Sequence, residues 1–243
     1  MKTYLLEEMT WPEIQAAMKN GCDTVVIYAA SIEQHGPALP EMTDTILGYA
    51  AASDLAKRLG NALAAPLIRP GLSAHHMCFP GSITLRPETF LASSHGGNFR
   101  ALEEIAQQQS EQYPHVRIVC GCSLEELDAA LAEVEVLEGL PVGTCGGHAC
   151  DWETSVMMML NEDYVRREKL QRGHVGALTE ALLHRFFEDG VMSVSEIGVM
   201  GDPTGADAAR GIRYFQYMQD MQEKAVRKHL MEWDKKKCNQ HAE

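Results

Sequence analysis

Thr24–Ser31, TVVIYAAS, is a nearly continuous β-branched and apolar run that leads without interruption into Ile32–Asp44, IEQHGPALPEMTD. An apolar run of this length, with no polar alternation, predicts a strand buried on both faces of a parallel sheet. The prolines and glycine after it predict a loop, and Asp44 opens a helical pattern through Asn61. Leu63–Ile68 then reads as a second strand, closed by Pro70 and Gly71. Upstream, Thr10 followed by Pro12 and Glu13 predicts a capping box at the start of a short helix, with Gly21 placed to end it. Downstream, Phe99–Tyr113 reads as a helix and Val116–Cys120 as another buried strand. Two further helical patterns, Arg172–Asp189 and Ala206–Trp233, are divided by the turn around Gly201. Strands alternating with helices predict an α/β fold, with a mostly parallel sheet flanked by helices on both faces. No repeat or linker interrupts it, so residues 1–234 are expected to form one domain, followed by a polar tail over residues 235–243.

The composition narrows the function. A chain of 243 residues that is 45% hydrophobic can bury a core of its own. Its 34 acidic residues against 21 basic ones give a formal charge of −13, which argues against nucleic acid or an anionic membrane as partner. No apolar run approaches the roughly 20 residues needed to cross a bilayer, and the start MKTYLLEEMTWPE lacks the basic-then-apolar order of a signal peptide. The chain is therefore expected in the cytoplasm, acting on a small molecule. Its seven scattered cysteines form no even framework, and disulfides are not expected.

Chemistry concentrates in the loop after the first strand, the usual place for ligands at the carboxyl ends of parallel strands. Glu33 and His35 are two residues apart, so in an extended segment both side chains project to one side. Asp44, at the start of the next helix, can return to the same point. Mixed histidine and carboxylate donors suit zinc, manganese or iron rather than calcium. A carboxylate at Asp44 could bridge two ions, which would activate a water near neutral pH. Taken alone, this pattern more often describes a solvated polar loop than a metal site.

Other candidate sites are weaker. Cys120 and Cys122, with Cys145, His148 and Cys150, could suggest a structural zinc, but the spacing of the first pair is not that of a zinc knuckle. Gly201–Ala206 (GDPTGA) lacks the glycine spacing and lysine of a phosphate loop and reads as a turn into the last helix. Met157–Met159 reads as core or subunit interface.

Five stretches occur together and in order: Ile32–Asp44, His76–Leu85 (HMCFPGSITL), His95–Asn98 (HGGN), His148–Ser155 (HACDWETS) and Gly201–Ala206. In that order they resemble the creatininase (creatinine amidohydrolase) family, over residues 5 to 230. The resemblance implies a single α/β domain assembled as a homohexamer, with two divalent metal ions per chain. It implies Glu33, His35, Asp44 and His95 as metal ligands, with Asp44 in the bridging position. His148 matches the family histidine that moves protons on the substrate. Glu153 is implied as a partner of a ligand, as a further ligand, or simply as a helix N-terminal carboxylate. His76 matches a substrate-pocket histidine. The implied activity is hydrolysis by a metal-activated water that opens or cleaves a small cyclic amide or formamide. Hydrolytic carbon–carbon ring opening of a cyclic ketone, as in 3-dehydro-scyllo-inosose hydrolase, is the enzymatic alternative. A catalytically impaired oligomeric scaffold is the non-enzymatic one.

Three departures from the family pattern carry expectations of their own. Ala38 stands where many members have histidine, which reshapes the pocket mouth. HGGN replaces a His-x-Glu motif, removing one carboxylate ligand and making creatinine itself a poorer substrate. Relatives also carry a helix and a buried strand between the segment matching Leu85–Phe90 and the HGGN histidine, where this chain has only Leu91–Ser94. About 25 residues, one βα unit, are absent. Thr89–Ser94 is therefore expected to be extended, with His95 on the same side of the sheet as Glu33 and His35, and the sheet to show one strand fewer or a gap.

Overall fold

The computed structural model describes residues 3–85, 99–177 and 179–240, with the side chains of 99–101 and 236–240 left aside. His95 and the expected strand Thr89–Ser94 lie outside the described residues. Helix α1 (Trp11–Lys19) begins as expected, with Glu13 accepting the Thr10 backbone N–H at 2.7 Å, and Gly21 takes a positive φ just beyond its end. Strand β1 (Thr24–Val26) is followed by the loop and then by α2 (Thr43–Leu59), which ends at left-handed Gly60. Strand β2 (Ala62–Ala64) pairs parallel with β1, Val25 opposite Leu63. A parallel bridge between Ala29 and Ile68 carries the pairing further along the chain. This β1–α2–β2 unit buries Val26, Ala52, Leu55, Ala56, Ala62 and Ala64 in one cluster with Val226.

The architecture is α/β, but the sheet is smaller than the sequence suggests. Val116–Cys120 lies in no strand. Val25 and Ile27 are more than half exposed, so β1 is covered on one face only among the described residues. A strand exists only where a neighbour completes its hydrogen-bond ladder, and among the described residues Val116–Cys120 has no such neighbour. The helical pattern expected over Arg172–Asp189 is realised only as α6 (Glu180–Glu188). Its first residues run instead beside Val199–Gly201, where Gly173 and His174 donate backbone hydrogen bonds to Gly201 and Val199.

The remaining long elements among the described residues are helices: α3 (Phe99–Gln112), α4 (Leu124–Glu138), α5 (Asp151–Asn161) and α7 (Ala208–Gln240). Helix α4 went unread in the sequence, although Ser123 and Glu126 form a capping box and Gly139 closes it. Its inner face, Ala130, Leu131 and Val134, packs with Val156 of α5 and with Tyr214 and Met218 of α7. Cys145 and Cys150 belong to this same apolar cluster.

Buried Asp151, the first residue of α5, is held from α7. Arg210 donates to both its carboxylate oxygens at 2.8 and 2.9 Å, and the Tyr214 hydroxyl donates at 2.8 Å. Removing one partner of a buried ion pair strands the other charge. Arg210→Met is expected to lower stability by about 3–5 kcal/mol, read as a lower urea midpoint at unchanged slope.

Candidate metal centre

Six polar side chains converge beyond the carboxyl end of β1. Glu33 and His35 come from the loop after that strand, and Asp44 from the first turn of α2. His76 closes a single 3-10 turn, Ala74–His76, His148 precedes α5, and Glu153 lies in the first turn of that helix. Their donor atoms form three overlapping groups within 4.8 Å: Glu33, His35 and Asp44; Glu33, His76 and His148; His35, His148 and Glu153. No cysteine belongs to any of these groups. Glu33, His35, His76, His148 and Glu153 are all buried, and the Asp44 side chain is 12% exposed. The structure thus brings Glu33, His35 and Asp44 together, and His148, Glu153 and His76 stand among them. His95 lies outside the described residues.

Hydrogen bonding assigns the ring nitrogens. His35 Nδ1 lies 3.0 Å from the Glu33 carbonyl, which can only accept, so Nδ1 carries the hydrogen. Its Nε2 then turns a lone pair toward Asp44 Oδ1, 3.1 Å away. Two acceptors at that separation require a positive species between them, a proton or a metal ion. In the absence of metal a proton serves. Burial opposes charging His35, but the charge and hydrogen bond of Asp44, with Glu153 and Glu33 behind, raise its pKa to about 10. Burial, reinforced by Asp44, pushes Glu33 well above the usual carboxylate range, although His35 and the hydroxyls of Ser73 and Ser31 pull it back. Burial, against the pull of His35, raises Glu153 to about 7. Glu33 and Glu153, two buried carboxylates that resist ionising beside Asp44, belong to the donor set a divalent cation would neutralise. The residues present fit such an ion.

His148 Nε2 lies 2.8 Å from the Gln34 carbonyl and so carries the hydrogen. Its Nδ1 faces inward, 4.0 Å from Glu33 Oε1. The next residue, Ala149, has a φ of 50°, a left-handed conformation that alanine adopts at a cost. Buried Glu153 accepts the Ala149 backbone N–H and holds this turn in place. The carboxylate that shares a group with His35 and His148 therefore also fixes the backbone that presents His148. Outside the cluster, a surface cleft of about 290 Å³ beside His76 is lined by His75, Cys78, Phe187 and Met192, among others.

Sequence reasoning passed over Gln34 and Ser31. Ser31 donates its hydroxyl to Asp44 Oδ2, and Gln34 reaches His76. Both lie within two residues of Glu33, so proximity to a candidate ligand was the available signal. What each side chain touches depends on segments far along the chain.

The creatininase family model, described as creatinine amidohydrolase, matches residues 7–93 and 90–226. The two matched stretches meet just before HGGN. A mycofactocin precursor peptide peptidase from Mycolicibacterium smegmatis is 33% identical over 208 residues, 80% of each chain. A 3-dehydro-scyllo-inosose hydrolase from Thermotoga maritima is 32% identical over 85 residues, 35% of this chain and 27% of that one. Among solved structures, a creatininase described as the manganese form superposes with a TM-score of 0.75 at 19% identity, covering 94% of this chain and 99% of that one. A putative creatinine amidohydrolase from Bacteroides fragilis superposes at 0.66 and 18% identity, covering 95% and 98%.

Proposed function

Because the chain belongs to the creatinine amidohydrolase (creatininase) family, we propose that it hydrolyses an amide bond, in a small cyclic or peptide-derived substrate, at a centre of two divalent metal ions. It is a metal-dependent hydrolase of that family. The observation that carries the reading is the buried cluster in which His35 Nε2 and Asp44 Oδ1 oppose each other at 3.1 Å, with Glu33, His148 and Glu153 around them. Likeness to a peptide peptidase over four-fifths of both chains widens the substrate class from small cyclic amides and formamides to peptide-derived ones.

Glu33, His35 and Asp44 would hold the ions, Asp44 serving both, with His95 as the fourth ligand. Zinc, manganese and iron all suit this donor set. A bound ion supplies Lewis-acid polarisation of the scissile carbonyl and a water acidified to near neutrality. The chain supplies the rest. His148, with Nε2–H anchored on the Gln34 carbonyl, accepts the proton of the attacking water at Nδ1 and returns it to the departing amine nitrogen. Glu153 holds the turn through Ala149 and so keeps that imidazole aimed. Close packing of the six side chains excludes bulk water, which strengthens each of these interactions.

The 85-residue likeness to the inosose hydrolase favours a second reading, carbon–carbon ring opening of a cyclic ketone, since polarising a carbonyl toward water serves either bond. Mass-spectrometric metal content of protein purified without added metal tests the centre. One to two ions per chain is the expected result, and a chain devoid of metal would favour the scaffold. Product analysis on cyclic amides, formamides, short peptides and cyclic ketones then separates amide from ketone.

Trp11, Met18, Val25, Ile27, Val136 and Leu137 are each more than half exposed, apolar surface that an assembly of copies would cover. We expect a cytoplasmic homo-oligomer, a homohexamer by family likeness. Light scattering at micromolar protein should give a multiple of the chain mass, and a monomer would count against the assembly.

A further inference from the structure

Gln34 sits between two candidate ligands and is almost completely buried, yet no step above uses its side chain. Its orientation is fixed from outside the cluster. The Gly36 backbone N–H, a donor only, lies 2.9 Å from Oε1, so that atom is the amide oxygen and the other end is the NH2 group. A Cβ on Gly198 would collide with Gln34 Oε1, so glycine there makes room for the amide, and one on Gly36 would collide with the Val199 side chain. Both glycines also have positive φ, +75° and +63°.

The two hydrogens on Nε2 are then allotted. One points at the Gly198 carbonyl at 3.3 Å and the other at His76 Nδ1 at 2.8 Å. His148 Nε2, also nearby at 3.2 Å, already donates to the Gln34 carbonyl and cannot take a hydrogen from the amide. His76 Nδ1 must therefore be the acceptor, and in a neutral imidazole the hydrogen is then on Nε2. That nitrogen lies 3.4 Å from Glu33 Oε1.

We infer that Gln34 is a positioning residue that fixes His76 as the Nε2–H tautomer. His76 thereby turns an N–H, and not a lone pair, toward the Glu33 carboxylate 3.4 Å away and is not a metal ligand, although its nitrogens lie at ligand distance from Glu33 and His148. The inference rests on the metal centre proposed above. It divides three histidines of similar burial by one criterion. His35 and His148 give their hydrogens to backbone carbonyls and turn lone pairs inward, whereas His76 receives a hydrogen from Gln34 and turns an N–H inward. Partners of this kind set the direction and basicity of a metal-binding carboxylate.

The test uses zinc-loaded full-length protein with 15N-labelled histidine rings. Proton–nitrogen correlation spectra of the wild type should show His76 with an unprotonated Nδ1 and a protonated Nε2, assigned by loss of that signal in His76→Gln. Gln34→Glu keeps an acceptor for Gly36 but presents an oxygen to His76 Nδ1, which must then take up a proton. The His76 pattern should move to a protonated Nδ1, and zinc affinity should fall about 10- to 100-fold by competition titration. In His76→Gln the amide can still donate to Glu33, so zinc stoichiometry should equal that of the wild type. A protonated Nδ1 or zinc-shifted Nε2 of His76 in the wild type would overturn the inference. So would loss of one zinc equivalent in His76→Gln, even if Gln34→Glu fails to fold. Wild-type protein that binds no zinc would instead sink the metal centre, while the tautomer could still be read from the metal-free spectrum.

Discussion

Asp44→Ala is expected to purify folded, to carry no metal and to show no measurable hydrolysis. The Asp44 carboxylate lies 3.1 Å from His35 Nε2 and is held from the other side by the Ser31 hydroxyl. Two fixed partners give it a single orientation. If it serves both ions, its removal strips the centre of shared negative charge and leaves Glu33 and His35 as an incomplete set. Losing a Lewis acid worth several kcal/mol of barrier corresponds to a rate loss on the order of a thousandfold or more. The far-UV circular dichroism should be unchanged, because Asp44 lies at the rim of the cluster and buries no apolar surface. Mass spectrometry of the purified variant checks the claim, and retained stoichiometric metal would contradict the shared carboxylate.

His148→Ala should behave differently. Its Nδ1 faces the cluster while its Nε2 is tied to the backbone at Gln34. We expect the variant to keep its metal and to lose roughly a hundredfold or more in kcat, the cost of removing a proton-transfer group. KM should change far less, since the imidazole acts on the reacting atoms and not on the rest of the substrate. Paired measurement of metal content and kcat decides between roles. Metal lost together with activity would make His148 a ligand, a role that its membership in two of the three donor groups makes a real alternative.

The local devices were legible. The capping box at Thr10 and the start of α2 within a residue of Asp44 follow from short-range rules of hydrogen bonding and side-chain period and are present, while the expected strands Thr24–Ser31 and Leu63–Ile68 pair in parallel only over Thr24–Val26 and Ala62–Ala64, with one bridge beyond. Glu33, His35 and Asp44 were legible as a group for the same reason. They lie on one loop and the turn after it, so their meeting needs no distant segment. The ordered motifs likewise identified the family from sequence.

Tertiary structure decided the rest. That Val116–Cys120 forms no strand depends on which ladder partners exist, and that β1 is covered on one face among the described residues depends on what packs against it; no window of sequence contains either. The approach of His76, His148 and Glu153 to Glu33 and His35 joins residues up to 120 positions apart, so it depends on how distant elements pack together. The protonation of each imidazole was the least legible of all. A histidine carries the same two nitrogens wherever it stands, and which one holds the hydrogen is set by the partner the fold presents: a backbone carbonyl for His35 and His148, the amide of Gln34 for His76.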